Sequence, residues 1–270
     1  MEVIFVKIVV LVKQTPDSEA KIKISNDDKS RLEDGGTKFV VNPYDEFAIE
    51  EALKIKEKAK DPSEVIIVSM GDDSVKDRII KALAMGADRG LQISSSGLES
   101  LDSLTVAKVL AKAIEGENPD LVLCGKQAID DDNMHVGVML AELLHWPHVN
   151  VVNKIEIDTM TAFVEREVEG GQVEKYKVGL PAVLGANKAL NTPRYASLPG
   201  IMKAKRKPFD RKTPADIGID INQLKSELMT QVTAYQYPAE KPQGKIFKGE
   251  AADIVVKKVV KLLRDEAKVI

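Results

Sequence analysis

Three short apolar runs, each leading into a helix-forming stretch, constrain this chain more than anything else in it. Ile8-Val9-Val10-Leu11-Val12 is apolar throughout and mostly β-branched, the pattern of a parallel strand buried on both faces. Glu64–Gly71 (EVIIVSMG) and Leu121-Val122-Leu123-Cys124 repeat it. Asn42-Pro43 opens a helix after the first run, with Pro43 suited to the first turn. Its apolar stripe is Tyr44, Ala48, Ala52, Ile55 and Ala59, and Glu46, Glu50, Glu51, Lys54, Lys56 and Glu57 make the remaining surface charged. Residues 74–85 form a second helix that Gly86 stops. Leu91–Ile93 reads as a short strand. Residues 103–115 read as a helix with Val106, Val109, Leu110, Ala113 and Ile114 on one side. Strand alternating with helix implies a parallel sheet wound with right-handed crossovers. Ligands then bind beyond the carboxyl ends of the strands, here the segments after Val12, Met70 and Cys124.

The third unit carries the strongest chemical signal. Gly125 breaks the apolar run, and a polar loop leads to Val136, Met139, Leu140, Leu143 and Leu144. That spacing is the stripe of an amphipathic helix. Asp132 is placed to cap it by accepting from a backbone N–H one turn on. First-turn amides without intrahelical partners, together with the helix dipole, favour an anion such as phosphate. Against this, most strand–turn–helix units hold no ligand, and Asp130, Asp131 and Asp132 would repel a phosphate. From the residues alone both readings stand. The segment has no P-loop consensus, and the chain contains no GxGxxG.

Other functions are disfavoured by what is missing. Lys plus Arg total 39 against 42 Asp plus Glu, a net charge of −3, so nothing suggests nucleic-acid binding. Aromatics at 4% supply few base-stacking platforms. The single cysteine, Cys124, excludes a dithiol couple within the chain and reads as a small buried hydrophobe. His135, His145 and His148 flank one helix, with Pro147 interrupting the last two, so no metal site is expected. The three aspartates could hold Mg²⁺, but loop-shaping hydrogen bonds are preferred. There is no GxSxG elbow and no HExxH. Any redox role therefore needs a cofactor. The N-terminal stretch MEVIFVKIVVLVK is interrupted by Lys7 and Lys13 and reads as a first strand with a few residues ahead of it. No apolar run reaches membrane-spanning length, and a cytoplasmic location without membrane insertion is expected.

Elsewhere, Lys21–Ile24 alternates like a short edge strand, and residues 26–38 read as a loop. Residues 149–168 and 172–178 read as strands, joined by a hairpin at Glu169-Gly170-Gly171. Pro181–Gly185 returns to the main sheet. Residues 188–215 are basic, and Pro193, Pro199 and Pro208 point to an extended surface segment. Residues 236–249 read as a peripheral arm, and Ala251–Leu263 as a helix striped by Ile254, Val255, Lys258, Val259 and Leu262.

With these residues in view a resemblance emerges. GKQAIDDD (125–132) resembles the nucleotide loop of the electron-transfer flavoprotein small (β) subunit. VEREVEGGQVEKYKVGLPAVLGAN (164–187) is similar to that family's signature region, and LNTPRYASLPGIMKAKRK (190–207) to its partner-docking segment. VKIVVLVKQ and NPYDEFAIEEALKIKEK also fit, so the similarity runs from about residue 6 to the C-terminus. It implies an α/β fold: a Rossmann-like parallel sheet of the adenine-nucleotide-binding type, with an added β-hairpin and a C-terminal arm and helix. Residues 1–235 would form the nucleotide-binding domain, including docking segment 188–207, and residues 236–270 an arm and helix packing on a partner.

The resemblance further implies a carrier subunit, not an enzyme. Its partner would be a larger α subunit that holds most of the FAD, while this chain holds AMP structurally. The implied AMP pocket begins with Leu11, the helix start Asn42, Pro43, Tyr44 and Asp45, and Met70. It continues through the loop Gly125, Lys126, Gln127, Ala128 and Ile129, then Asp130, Asp131, Asp132 and Asn133, to Met134, His135 and Val136. Arg194, Tyr195, Leu198 and Pro199 would dock partners, with Leu198 as the anchor. Flavin dehydrogenases such as acyl-CoA dehydrogenases of fatty acid β-oxidation would donate electrons, and a membrane quinone oxidoreductase would be a possible acceptor. In an electron-bifurcating branch the pocket holds a second FAD and the loop resembles DGDTAQVG. Here Asp131 replaces the glycine and Met134 the small residue, which favours AMP. Met134 and His135 also depart from the ordinary pattern of Asn and Gln, and Val136 fits the bifurcating pattern better, so a second FAD is the alternative. From another class, an adenine-nucleotide hydrolase or synthase would need a phosphate-activating motif, and a nucleotide-sensing stress protein would be expected to homodimerise.

Overall fold

The computed structural model describes residues 6–30, 32–33, 35–98, 100–241 and 243–270. The residues expected ahead of the first strand (1–5), Arg31 and Asp34 of the polar loop, and Pro242 of the arm lie outside the described residues. In chain order, β1 (Lys7–Leu11) leads to β2 (Gln14–Pro16), β3 (Lys23–Ile24), β4 (Leu32–Glu33) and β5 (Phe39–Val41). β2 pairs antiparallel with β5, and β3 with β4, so the expected loop 26–38 carries one short strand. Then come α1 (Pro43–Lys58), β6 (Glu64–Gly71), α2 (Val75–Met85), β7 (Arg89–Ser94), α3 (Ser103–Glu117), β8 (Leu121–Gly125) and α4 (His135–Leu144). The alternation read from the sequence is present element for element. Next are β9 (His148–Asp158), β10 (Thr161–Val168), β11 (Gln172–Gly179), β12 (Ala182–Ala186), α5 (Leu198–Ala204), β13 (Phe209–Lys212), α6 (Ile221–Ser226) and α7 (Ala252–Asp265).

The main sheet has the order β11-β10-β9-β12-β8-β1-β6-β7-β13. The strands from β9 across to β13 run parallel. β10 and β11 extend the sheet antiparallel, as the expected hairpin. On one face Ile8, Val10, Val65 and Ile67 pack with Ala48, Ile49 and Ala52 of α1 and Ile79 and Leu83 of α2. On the other, Val9, Ile66, Val68 and Val122 pack with Val109 and Ile114 of α3 and Leu140 of α4. Helices cover both faces, which is why the central strands are apolar throughout instead of alternating.

The structure corrects two expectations. Residues 188–215 are not extended throughout: residues 191–197 carry no regular element, but α5 and β13 follow them. Pro199 sits in the first turn of α5, where a missing N–H costs nothing, and Ser197 caps the helix by accepting from Gly200 N at 3.1 Å. β13 pairs in parallel with β7 at the sheet edge. The charged outer surface of α1 is also not all exposed. Glu50 and Glu51 are buried because residues 191–194 fold back over them, as the hydrogen bonds of Asn191 and Arg194 show.

One compact unit runs to Tyr235, and Gln236–Ile270 forms a second. Within the second, α7 turns Val255, Val259 and Leu262 to half-buried positions while Ile254 and Lys258 are exposed. Among the described residues no helix is long and apolar enough to cross a membrane.

Candidate nucleotide site

The carboxyl ends of β1, β6 and β8 converge with the start of α1, and Asp45 ties the ends of β1 and β8 to that helix. It lies in the first turn of α1 and is buried. Its Oδ2 accepts from Lys13 N at 2.7 Å, just past β1. Its Oδ1 accepts from Gly125 N, at the end of β8, and from Asn42 Nδ2, both at 2.9 Å. Burial pushes its pKa up to about 7 even against these three donors. Gly125 is needed at this junction: a Cβ there would stand 2.5 Å from Asp45 Oδ1 and 2.6 Å from Tyr44 Cβ.

Asn42 precedes α1 but makes no side-chain cap. Its amide reaches across to the loop instead, donating from Nδ2 to Gln127 O at 2.9 Å and accepting at Oδ1 from Ile129 N at 3.3 Å. The loop is thereby fastened to the helix that follows β5. Asn150 fastens it from the other side, donating from Nδ2 to Lys126 O at 3.2 Å. The next residue, Val151, has φ of +61°. A β-branched residue there is strained, at a cost of about 1–3 kcal/mol, and the register shift in the β9–β12 pairing lies beside it.

The three aspartates are occupied with shaping the loop. Lys13 Nζ pairs with Asp130 Oδ1 at 2.9 Å and Asp131 Oδ2 at 3.1 Å. Burial opposes the Lys13 charge, yet these carboxylates outweigh it and raise its pKa. Asp132 accepts from Gln127 Nε2 at 2.5 Å. It does not cap α4, contrary to expectation. The residue before α4 is Met134, in a left-handed conformation and without a side-chain cap. The loop takes two left-handed residues, Asp132 and Met134, before the helix starts, and the Asp132 carboxylate is engaged by Gln127 instead of the helix. The first-turn amides of α4 are left without a side-chain acceptor.

A cavity of about 380 Å³ opens at this junction. Of the residues expected at the site, Leu11, Asn42, Asp45 and Met70 line it, as do Gly125 to Ala128, Asp131, and Asn133 to Val136. Pro43, Tyr44, Ile129, Asp130 and Asp132 stand outside that lining. Tyr44 is turned toward Lys126, whose Nζ lies 5.2 Å from its ring centre. The sequence reading missed Lys13 and a whole wall made by Leu98, Ser100, Leu101, Asp102 and Val106. The rule about strand ends would have found that wall had it been applied after β7 as well. Asp102 caps α3 by accepting from Thr105 N at 2.8 Å, and its other oxygen accepts from Met229 N at 2.8 Å and Thr230 N at 3.1 Å. Burial opposes its charge, but the Thr105 hydroxyl, donating at 2.7 Å, and these backbone donors hold its pKa down at about 2. Cys124, at the cavity floor, has its thiol pushed up to about 12 by burial and by Asp45. Among the described residues no group of three or more His, Cys, Asp or Glu is arranged to hold a metal ion.

Residues 31–217 match the family model described as the electron transfer flavoprotein domain. The chain belongs to the electron transfer flavoprotein family. It is 40% identical over 267 residues to the electron transfer flavoprotein subunit beta of Bradyrhizobium diazoefficiens, covering 98% of this chain and 100% of that one. It is 40% identical over 262 residues to the subunit beta of Bacillus subtilis, covering 97% and 98%. It is 44% identical over 217 residues to the human subunit beta, covering 80% and 84%. As a beta-subunit member of this family it is an electron-carrier component, not an enzyme with turnover of its own.

The residues expected to dock partners differ in exposure. Tyr195 is 98% exposed and Leu198 80% exposed. Arg194 instead turns its guanidinium inward, onto Glu50 and Glu57 of α1.

Proposed function

We propose that this chain binds AMP as a structural nucleotide and pairs with an alpha subunit that holds most of an FAD. The observation that carries the nucleotide reading is the uncapped start of α4 facing a cavity at the strand ends. The objection from like charge is weakened for a single phosphate, because Lys13 pairs with Asp130 and Asp131 and offsets one of the three carboxylate charges, and Asp132 is engaged by Gln127. The apolar wall of Leu98, Leu101 and Val106 suits a base. The cavity volume lies near the lower end of the ~300–1,000 Å³ typical of ligand sites, which favours a mononucleotide over a second FAD. Met134 and Asp131 at its edge add bulk and charge where a diphosphate would pass.

FAD, when bound, supplies the electron-accepting chemistry of the heterodimer. This chain's own residues hold the nucleotide loop in place and present Tyr195 and Leu198 to flavin dehydrogenases such as acyl-CoA dehydrogenases. A membrane quinone oxidoreductase is the proposed acceptor, and the C-terminal unit Gln236–Ile270 is proposed to pack on the alpha subunit. Acid release and chromatography of nucleotides from the purified heterodimer test the reading. One AMP and one FAD per heterodimer are expected, and two FAD with no AMP would overturn it. ATP turnover by the purified chain would instead favour a hydrolase.

A further inference from the structure

The segment after β12 carries exposed apolar side chains on a short stretch of chain. Besides Tyr195 and Leu198, Met202 is 75% exposed. Such a segment presents a defined surface only if its backbone is fixed, because a loose one must lose conformational entropy before it can be bound. Its downstream end is pinned to α2. A Cβ on Gly200 would stand 2.4 Å from Ala84 O, so α5 packs directly on the α2 backbone. Lys207 Nζ donates to Leu83 O at 2.9 Å and Ala87 O at 2.5 Å, holding the end of the same helix.

The upstream pin is Arg194. Its Nε and Nη2 grip Glu50 Oε2 and Oε1 at 2.8 and 3.0 Å, a two-pronged fork. Its Nη1 and Nη2 reach Glu57 Oε1 and Oε2 at 2.5 and 3.1 Å. Its backbone N also donates to Glu50 Oε2, at 3.1 Å. Asn191 Nδ2 adds bonds to Phe47 O at 3.0 Å and Glu51 Oε2 at 2.9 Å. Glu50 is only 5% exposed, so its carboxylate depends on this cation for compensation. Glu50 and Glu57 lie seven residues apart, on one face of α1. Four of the five guanidinium N–H groups are thus committed within the chain, which leaves little for a partner.

We infer that Arg194 is a positioning residue: it locks the docking segment to α1 and sets where Tyr195 and Leu198 are presented, without itself reaching the partner. The segment is thereby referenced to the helix whose first turn, through Asn42 and Asp45, also holds the nucleotide loop. The inference rests on the reading that Leu198 docks partners, and the test separates the two.

The heterodimer is prepared as the parent, E50Q/E57Q, R194A, L198A and R194A/L198A. Amide exchange is followed over residues 195–204, together with steady-state reduction by an acyl-CoA dehydrogenase. The glutamine pair keeps shape and leaves the Arg194 charge in place while removing its ionic partners. Exchange at least ten-fold faster is expected in both E50Q/E57Q and R194A, with KM for the dehydrogenase raised several-fold. Saturating turnover and bound nucleotide are expected to hold at parent values, as a general loss of stability would not leave them. R194A is expected to add little in the L198A background. Parent-like exchange in E50Q/E57Q would overturn the inference. So would independent, multiplying effects of R194A and L198A, because Arg194 would then contact the partner itself. Parent kinetics for L198A alone would instead remove the docking reading, and the exchange result would still decide whether Arg194 is the pin.

Discussion

Gly125→Ala is the substitution that most directly tests the junction at the nucleotide loop. The added methyl would stand 2.5 Å from Asp45 Oδ1, 2.6 Å from Tyr44 Cβ and 2.8 Å from the Tyr44 carbonyl carbon. None of these atoms is the loose end of a flexible side chain. The Tyr44 atoms belong to the first turn of α1, and Asp45 is held by donors from Lys13, Asn42 and Gly125. The helix start or the end of β8 must therefore move. Overpacking of this kind costs about 1–3 kcal/mol. At pH 8, above the Asp45 pKa of about 7, its carboxyl is charged, and losing the Gly125 N–H to it costs a further ~1.5–3 kcal/mol. The sum is about 2.5–6 kcal/mol. At roughly 2–4 °C per kcal/mol for a domain of this size, Tm should fall by about 5–24 °C, with loss of bound nucleotide. Gly179→Ala is the control, since nothing lies within 4 Å of a Cβ there, and it should leave both values unchanged. Differential scanning calorimetry with nucleotide analysis reads both outcomes. A Gly125→Ala protein that melts within about 2 °C of the parent and keeps its nucleotide would refute the account of how α1 and β8 are joined.

Two further outcomes follow from buried titrating groups. The Cys124 thiol, buried and pushed up to about 12, should resist a thiol-specific disulfide reagent in the native protein at pH 8 and react stoichiometrically once unfolded, and rapid native labelling would contradict its burial. His148 has its pKa pushed down to about 4, by burial first and then by Arg166. Its contribution to stability is therefore complete above its unfolded value of about 6.5 and is lost as pH falls toward 4. The stability difference between the parent and H148Q should shrink by about 1–3 kcal/mol from pH 7 to pH 4, measured by denaturant unfolding. The comparison must be a difference, because Asp45 acts in the opposite sense over the window from 3.8 to about 7. A pH-independent difference would show that His148 is not held neutral.

What could be read from the chain alone, and what could not, divides along a physical line. The parallel sheet was legible because burial on both faces leaves an unbroken apolar run, a property each strand carries within itself. The convergence of the segments after Val12, Met70 and Cys124 was legible because strand ends in such a sheet share an edge, whereas Asn42 and Asp45 were assigned to the site only through the family resemblance. What failed depended on partners distant in sequence or on backbone geometry. Asp132 has the right residue type for a cap, but the loop is left-handed at Asp132 and Met134, and the carboxylate is engaged by Gln127 instead. Pro199 lies at a helix start, and a proline reads in sequence as either a start or a barrier, since the same missing N–H serves both uses. Glu50 looked like solvent-facing charge because its counter-ion, Arg194, lies 144 positions further on. That last failure bears on function as well as on prediction. A charged face is buried at a cost only when a partner charge compensates it, and here the compensating residue sits beside the most exposed tyrosine in the protein. A salt bridge meant only for stability would be equally effective anywhere along the helix. Its place immediately before Tyr195 makes the register of that segment the property most sensitive to it.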